Sequence, residues 1–182
     1  MSEHANAFVQ HLQSLALRDR GAIAALRRSL AFAPGTYPPA YPAVERFAAQ
    51  GEDREAARRA LYLCAGLFAL HPAHASGRAL ATGLGETLIR RDSPSIEKRF
   101  IALLGADPDA LADHLRQAIS LLAADGVGLD YVLLLADLRD LLDPWNEERR
   151  DRARQRWARA FYRVAAHEHA SEPGTDAADD QS

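Results

Sequence analysis

The sequence predicts an all-α protein of eight or nine helices arranged as two small bundles, on three observations. Apolar residues recur at three- and four-residue spacing along most of the chain. No stretch alternates apolar and polar residues with the period of two that a half-buried strand requires. The periodic runs are punctuated by prolines, glycines and aspartates at positions where helices start and stop. At 182 residues the chain can bury roughly two-thirds of its unfolded surface, enough for one domain or two small ones.

Phe8, Leu12 and Leu15 mark an opening amphipathic helix that stops near Arg18, and Asp19 can cap the next. That second helix, RGAIAALRRSLAF, gathers Ile23, Leu26 and Leu30 on one face. Arg20, Arg27 and Arg28 lie on a neighbouring flank, because positions i, i+7 and i+8 stack along the axis. Pro34 and Gly35 end it. The following APGTYPPAYP has four prolines in ten residues and reads as a long extended loop, with Tyr37 and Tyr41 available to pin it to the body or to stack on a partner; pinning is favoured. Asp53 can begin a helix whose second half, LYLCAGLFAL, is apolar nearly all round and so belongs at the centre of an N-terminal bundle. His71 and Pro72 stop it.

In GRALATGLGETLIRR the pair Gly83 and Gly85 has no preceding strand, so it is not a dinucleotide loop; it suits a helix in which glycine permits close packing. Arg90 and Arg91 end that helix with charge that complements its C-terminal dipole. Asp92, Ser93 and Pro94 mark the expected domain junction: residues 1–92 as an N-terminal bundle and 93–167 as a C-terminal one, followed by an acidic, disordered tail over 168–182.

The segment 93–122 reads as a helical hairpin. Ser93 or Ser95 can cap its first helix, Gly105 ends it, and Asp107 with Pro108 starts the second. At about 100° per residue, Ile96, Phe100, Leu103 and Leu104 cluster on one side while Lys98 and Arg99 fall on the far side and flank. Leu111, Leu115, Ile119 and Leu122 form the stripe of the second helix, and Arg116 stands off it. An apolar hairpin thus carries a basic edge. Gly126 and Gly128 turn the chain into LDYVLLLADLRDLL, whose leucines occupy every side and predict burial at the centre of a C-terminal bundle. The last helix, from about Asn146 to Ala166, sets Trp157, Phe161 and Val164 toward the core. Arg149, Arg152, Arg156, Arg159 and Arg163 fall within an arc of roughly 80° on the opposite side.

Charge and composition narrow the function. The net charge is −3, yet five acidic residues and no basic ones lie in 168–182, which leaves 22 basic against 20 acidic residues in the remainder. All the basic residues but Lys98 are arginine, a bias that suits bidentate phosphate contacts and also arises in a GC-rich genome. The single cysteine, Cys64, excludes an internal disulfide and fits a reducing cytoplasm as a core residue. No signal segment or apolar run of ~20 residues is present, so neither export nor a membrane partner is expected. His71 and His74 have no acidic or cysteine companions, and no nucleophile stands beside an oriented base. No metal, cofactor or enzymatic activity is therefore expected. Glu97 alone turns toward an apolar face, where it calls for an arginine partner.

Six segments in this order and spacing, DRGAIAALRRSL (19–30), LFALHP (67–72), SIEKRFIALLGAD (95–107), HLRQAISLL (114–122), LDYVLLLADL (129–138) and QRWARAFY (155–162), resemble the CasB family. This family is the small subunit of the type I-E CRISPR interference complex called Cascade. The resemblance implies an all-helical, non-catalytic protein present as two head-to-tail copies beside the large and backbone subunits. It also implies contact with guide RNA and target DNA, above all the displaced non-target strand. Position by position it carries over to Arg27, Arg28, Lys98, Arg99 and Arg116, whereas Arg152, Arg156 and Arg159 rest on the helical stripe. Ala160 stands where the family leads us to expect an acidic residue, and Leu141 and Leu142 where a tryptophan is expected. The second reading of the arginine face is a free-standing helical adaptor or regulator that binds an acidic protein.

Overall fold

In the computed structural model, residues 2–48 and 54–169 are described. They form nine α-helices and two single 3-10 turns, and no strand occurs among them. Helix α1 (Ser2–Arg18) gives way at once to α2 (Arg20–Ser29), because the Asp19 carboxylate accepts the Ala22 amide at 2.8 Å as an N-cap.

The proline-rich segment is not the extended loop its composition suggests. It folds into a 3-10 turn (Pro38–Ala40), a four-residue helix α3 (Tyr41–Val44) and a second 3-10 turn (Glu45–Phe47). Prolines at the first positions of such turns give up no hydrogen bond, which is how Pro38, Pro39 and Pro42 coexist with helical backbone, while Pro34 lies in the turn before them. A polar cluster pins this segment to α4 (Arg54–Leu70); the expected helix start at Asp53 lies outside the described residues. Arg58 donates to both Glu45 carboxylate oxygens at 3.2 Å and to the Gly35 carbonyl at 3.3 Å. The Tyr41 hydroxyl donates to that same carbonyl at 3.1 Å, and the Tyr62 hydroxyl donates to Glu45.

The hydrogen bond from Arg58, then that from Tyr62, outweigh desolvation and hold the Glu45 carboxyl below its ordinary range. A depressed folded pKa contributes stability in full above the unfolded value and loses it as pH falls through the folded one. The thermal midpoint should therefore decline as pH drops below about 4.5, and Glu45→Gln should flatten that decline. Glu45 is half exposed, so after solvent screening the difference is under about 1 kcal/mol; unfolding followed by circular dichroism across the acid range measures it.

Helix α4 is the most enclosed: Ala60 through Ala69 is buried without interruption, and α2 packs closely on Gly66 through Leu30. Cys64 is fully buried, as expected, and burial pushes its thiol pKa up. Helix α5 (Leu80–Arg91) ends at Asp92, whose φ of 45° turns the chain, with Ser93 as N-cap and Pro94 as first residue of α6 (Pro94–Gly105). Ser93 makes no capping hydrogen bond with its side chain; it pairs instead with the Ser95 hydroxyl at 2.9 Å. Asp107 accepts the amides of Asp109 and Ala110 and leads into α7 (Leu111–Ala124).

The expected junction between residues 92 and 93 therefore falls between two helices that pack on each other. α5 lies against α9 (Glu147–His169), α6 and α7, whereas α8 (Tyr131–Leu141) lies against α4, α1 and α9. Core residues from both sides of the junction form one continuous cluster. Gly85 makes the α5–α9 approach possible, since a Cβ there would lie 2.8 Å from the Phe161 carbonyl oxygen. The all-round enclosure expected of α8 is incomplete: Leu133 is 41% exposed, while Leu134, Leu135 and Leu138 are buried. Leu141 and Leu142, which stand where the resemblance leads one to expect tryptophan, are both buried. Helix α9 starts beside Asn146, whose side chain accepts the Arg149 amide at 3.0 Å, and it runs three residues past the expected end at Ala166. Residues 170–182 of the expected acidic tail lie outside the described residues.

Two connecting segments, 71–78 and 127–131, are joined across the molecule. Leu129 donates to the Ala73 carbonyl at 3.1 Å and accepts from the Ala75 amide at 2.9 Å, and Asp130 donates to the Arg78 carbonyl at 2.7 Å. The Asp130 carboxylate takes the Gly77, Val132 and Leu133 amides, and the Tyr131 hydroxyl donates to the His71 carbonyl at 2.6 Å. His71 pairs with the Val127 carbonyl and His74 accepts the Tyr131 amide. Both histidines are thus engaged in holding backbone. Gly128 is needed here, because a Cβ would sit 2.9 Å from the Ala73 carbonyl oxygen.

Candidate nucleic-acid interface

Arg27 and Arg28 stand on the last turn of α2, where cations complement the helix dipole. Arg99 stands on α6, and Arg116 on α7, in each case one flank away from buried residues: Ile96 and Phe100 for the first, Leu115 and Ile119 for the second. α2 and α7 both pack on α4, and α6 packs on α7, which sets the four arginines along two neighbouring troughs. A shallow trough of about 360 Å³ is lined by Arg27, Arg28, Arg116, Phe32, Tyr37 and Leu70 among others. A second, of about 400 Å³, is lined by Arg99, Arg116, Gln117 and Leu70 among others. Arg116 and Leu70 border both, so the two troughs adjoin there.

The guanidinium groups are not equivalent. Arg27 donates through Nε and Nη2 to the Ala69 carbonyl at 3.0 and 2.9 Å, satisfying the C-terminal end of α4 and fixing its own position. Arg28 and Arg99 are exposed, with no hydrogen bond or ion pair to any described residue. Arg116 meets Asp113 at 3.3 Å, an exposed i,i+3 pair that holds it only weakly. No carboxylate lines either trough. A concave surface with several cations and no anion raises the local potential for a negatively charged ligand.

Lys98 is exposed and lines neither trough. The stripe on α9 is solvent-facing, as its spacing predicts, but most of its members have partners. Arg152 meets Glu148 at 3.3 Å and Arg159 donates to Gln155 at 3.4 Å. Arg156 bridges to α8, with Nη2 at 2.7 Å from Asp137 and 2.9 Å from Asp140, and the Trp157 indole donates to the other Asp137 oxygen at 2.6 Å. Burial works against the Arg156 charge, and the bonds to Asp137 and Asp140 overcome it, so its pKa is raised. These groups border a cleft of about 550 Å³ between α8 and α9, in which Asp137 and Asp140 face Arg139, Arg149 and Arg156. Its mixed charge suits a polyanion less than the α2–α7 trough does.

Glu97 finds its partner in the Tyr162 hydroxyl, which donates at 2.9 Å, and not in the arginine that its placement predicts. Sequence reasoning overlooked Phe32, whose ring is 51% exposed at the trough edge; its place between an arginine pair and Pro34 was the only available signal. Among the described residues no group of acidic, histidine or cysteine side chains could hold a metal ion, and no helix is long and apolar enough to cross a membrane.

Fold and surface together define an all-helical protein distinguished by a cationic trough that two parts of the chain build jointly. Residues 22–162 match the family model described as CRISPR-associated protein Cse2. The chain is 48% identical over 146 residues to the CRISPR-associated protein Cse2 of Thermus thermophilus, spanning 80% of each sequence. It also superposes on the crystal structure of CasB from Thermus thermophilus, with TM-score 0.73 and 44% identity over 87% of this chain and 97% of that one. The chain belongs to the CRISPR-associated Cse2, or CasB, family. A chain of a CRISPR RNA-guided surveillance complex shares the fold at TM-score 0.76, with 23% identity over 93% of this chain and 97% of that one.

Proposed function

We propose that this chain is a non-catalytic subunit of a CRISPR RNA-guided surveillance complex of the Cascade type. In this role it holds nucleic acid without reading its sequence and stabilises the R-loop through the displaced non-target strand. The observation that carries this reading is the convergence of Arg27, Arg28, Arg99 and Arg116 on two adjoining troughs, neither lined by a carboxylate. Exchange of a DNA duplex for an RNA–DNA heteroduplex is nearly balanced in energy, so a few backbone contacts to the extruded strand can tip it. Arginines directed at phosphates supply affinity and salt dependence while ignoring base identity.

Within this reading Arg28, Arg99 and Arg116 contact phosphates, and Arg27 anchors their platform while lending its charge. Lys98, Arg152 and Arg159 lie off the trough and meet either flanking nucleic acid or neighbouring subunits, including a second copy of this chain. Arg156 joins α8 to α9.

The test is to co-express the protein with its genomic neighbours and purify it natively. It should elute in a large particle that contains a short guide RNA, and particles lacking it should form shorter-lived R-loops. Elution alone and free of RNA under several conditions would favour the adaptor that binds an acidic protein.

A further inference from the structure

The edge of the trough carries a feature that phosphate binding alone does not use. After α2, the chain folds back in successive turns: Ala31 and Phe32 donate to the Arg28 and Ser29 carbonyls at 3.1 and 3.0 Å, and Thr36 donates to the Ala33 carbonyl at 3.0 Å. Gly35 adopts φ of 87°, open to glycine at little cost, and its carbonyl is held by both Arg58 and Tyr41. This fold-back stacks the Phe32 ring on the Tyr37 ring, with centroids 4.7 Å apart and planes 18° from parallel. Tyr37 is partly buried against the core, so it backs Phe32 from inside. Phe32 is half exposed, and both residues line the trough beside Arg27, Arg28 and Arg116.

An exposed, braced ring at the rim of a cationic trough matches what a single strand needs: a charged track for its backbone and a flat apolar surface for a base. A duplex cannot use such a surface, because its bases are already paired and stacked. An apolar anchor from a protein would enter beside three arginines with no carboxylate lining the trough, which disfavours that occupant unless it is itself acidic.

We propose that Phe32, braced by Tyr37, is a stacking platform for one unpaired nucleobase of a single strand whose phosphates lie along Arg28, Arg116 and Arg99. The inference rests on the phosphate-binding reading above and adds to it a contact that requires the base. It confines the ligand at this point to single-stranded nucleic acid and fixes where the strand sits relative to the trough.

The full-length protein, a labelled oligothymidine and a length-matched abasic deoxyribose-phosphate oligomer, compared by fluorescence anisotropy at one salt concentration, separate the two contributions. The wild-type protein should bind oligothymidine about fivefold or more tightly than the abasic oligomer, the lower end of what one stacked base contributes. Phe32→Ala and Phe32→Leu should bring oligothymidine down to the abasic level and leave the abasic oligomer unchanged, whereas Tyr37→Phe, which keeps the bracing ring, should retain the preference. Phe32 is half exposed, so these variants should keep the wild-type helical circular dichroism. Equal affinity of the wild-type protein for the two oligomers overturns the platform and leaves phosphate binding standing. So does a Phe32→Leu variant that keeps the full preference, because bulk and not the ring face would then be sufficient. Binding of neither oligomer overturns both readings.

Discussion

If the trough holds single-stranded DNA as proposed, reversing the charge at Arg28 and Arg116 together should weaken that binding by about a hundredfold, at about 1.5 kcal/mol for each charge-assisted contact. It also lowers the slope of log affinity against log salt by about 1.4, since each phosphate contact to a single strand contributes about 0.7. Both arginines are exposed; Arg28 has no described partner and Arg116 only the exposed Asp113, so the Arg28→Glu, Arg116→Glu variant should unfold at the wild-type temperature. Arg27 is a poorer choice for this experiment, because reversing it would remove two hydrogen bonds from the Ala69 carbonyl. Titrations at several salt concentrations measure both quantities. Affinity and slope that match the wild type would remove the trough as the phosphate site.

Phe161→Ala has the largest effect expected on stability. Phe161 is fully buried, and its ring stacks on Phe100 at 4.1 Å with planes 10° from parallel. Its backbone carbonyl is the atom Gly85 approaches, so the cavity opens where α5, α6 and α9 meet. A large aromatic truncated in a core costs about 3–5 kcal/mol, a sizeable share of the roughly 5–15 kcal/mol typical of a domain. At this chain length that corresponds to a fall of about 6–20 °C in the thermal midpoint. Tyr162→Phe next to it serves as the control: it removes one hydroxyl from an exposed pair with Glu97 and should shift the midpoint little. A Phe161→Ala protein melting within about 2–3 °C of wild type, by the same conversion under about 1 kcal/mol, would mean that α9 is not held by this stack.

Local signals made most of the fold legible in the sequence. Asp19, Asp107 and Asn146 accept amides three residues on at helix starts, and Pro94 and Gly105 are the first and last residues of α6, so their meaning is contained in a short window. The apolar stripes predicted burial correctly for Leu26, Phe100, Ile119 and Trp157, because helical spacing fixes which side chains share a face. What the sequence hid was tertiary. The proline-rich segment is held down by Arg58 and Tyr62 of α4, and those partners are not adjacent to it in sequence. Leu133 emerged into solvent because α8 is covered by α4, α1 and α9 and its remaining side faces a cleft.

The same division runs through the candidate site. Each basic residue was visible as a charge off an apolar stripe, yet nothing local told Arg28 from Arg156. Their difference lies on other helices: Asp137 and Asp140 reach Arg156 from α8, while no described side chain reaches Arg28. Assembly of Arg27 and Arg28 with Arg99 and Arg116 spans about half the chain, a separation that periodicity does not read.

Connections between helices are ordinarily where related proteins differ most in length, because a surface loop absorbs extra residues at small cost. The segments 71–78 and 127–131 are connections of another kind. Backbone groups of one are tied to fixed partners on the other, and Gly128 leaves no space between them. One inserted residue in either would displace several hydrogen bonds at once, as a register slip does in a sheet. Divergence in chain length should therefore spare these two segments.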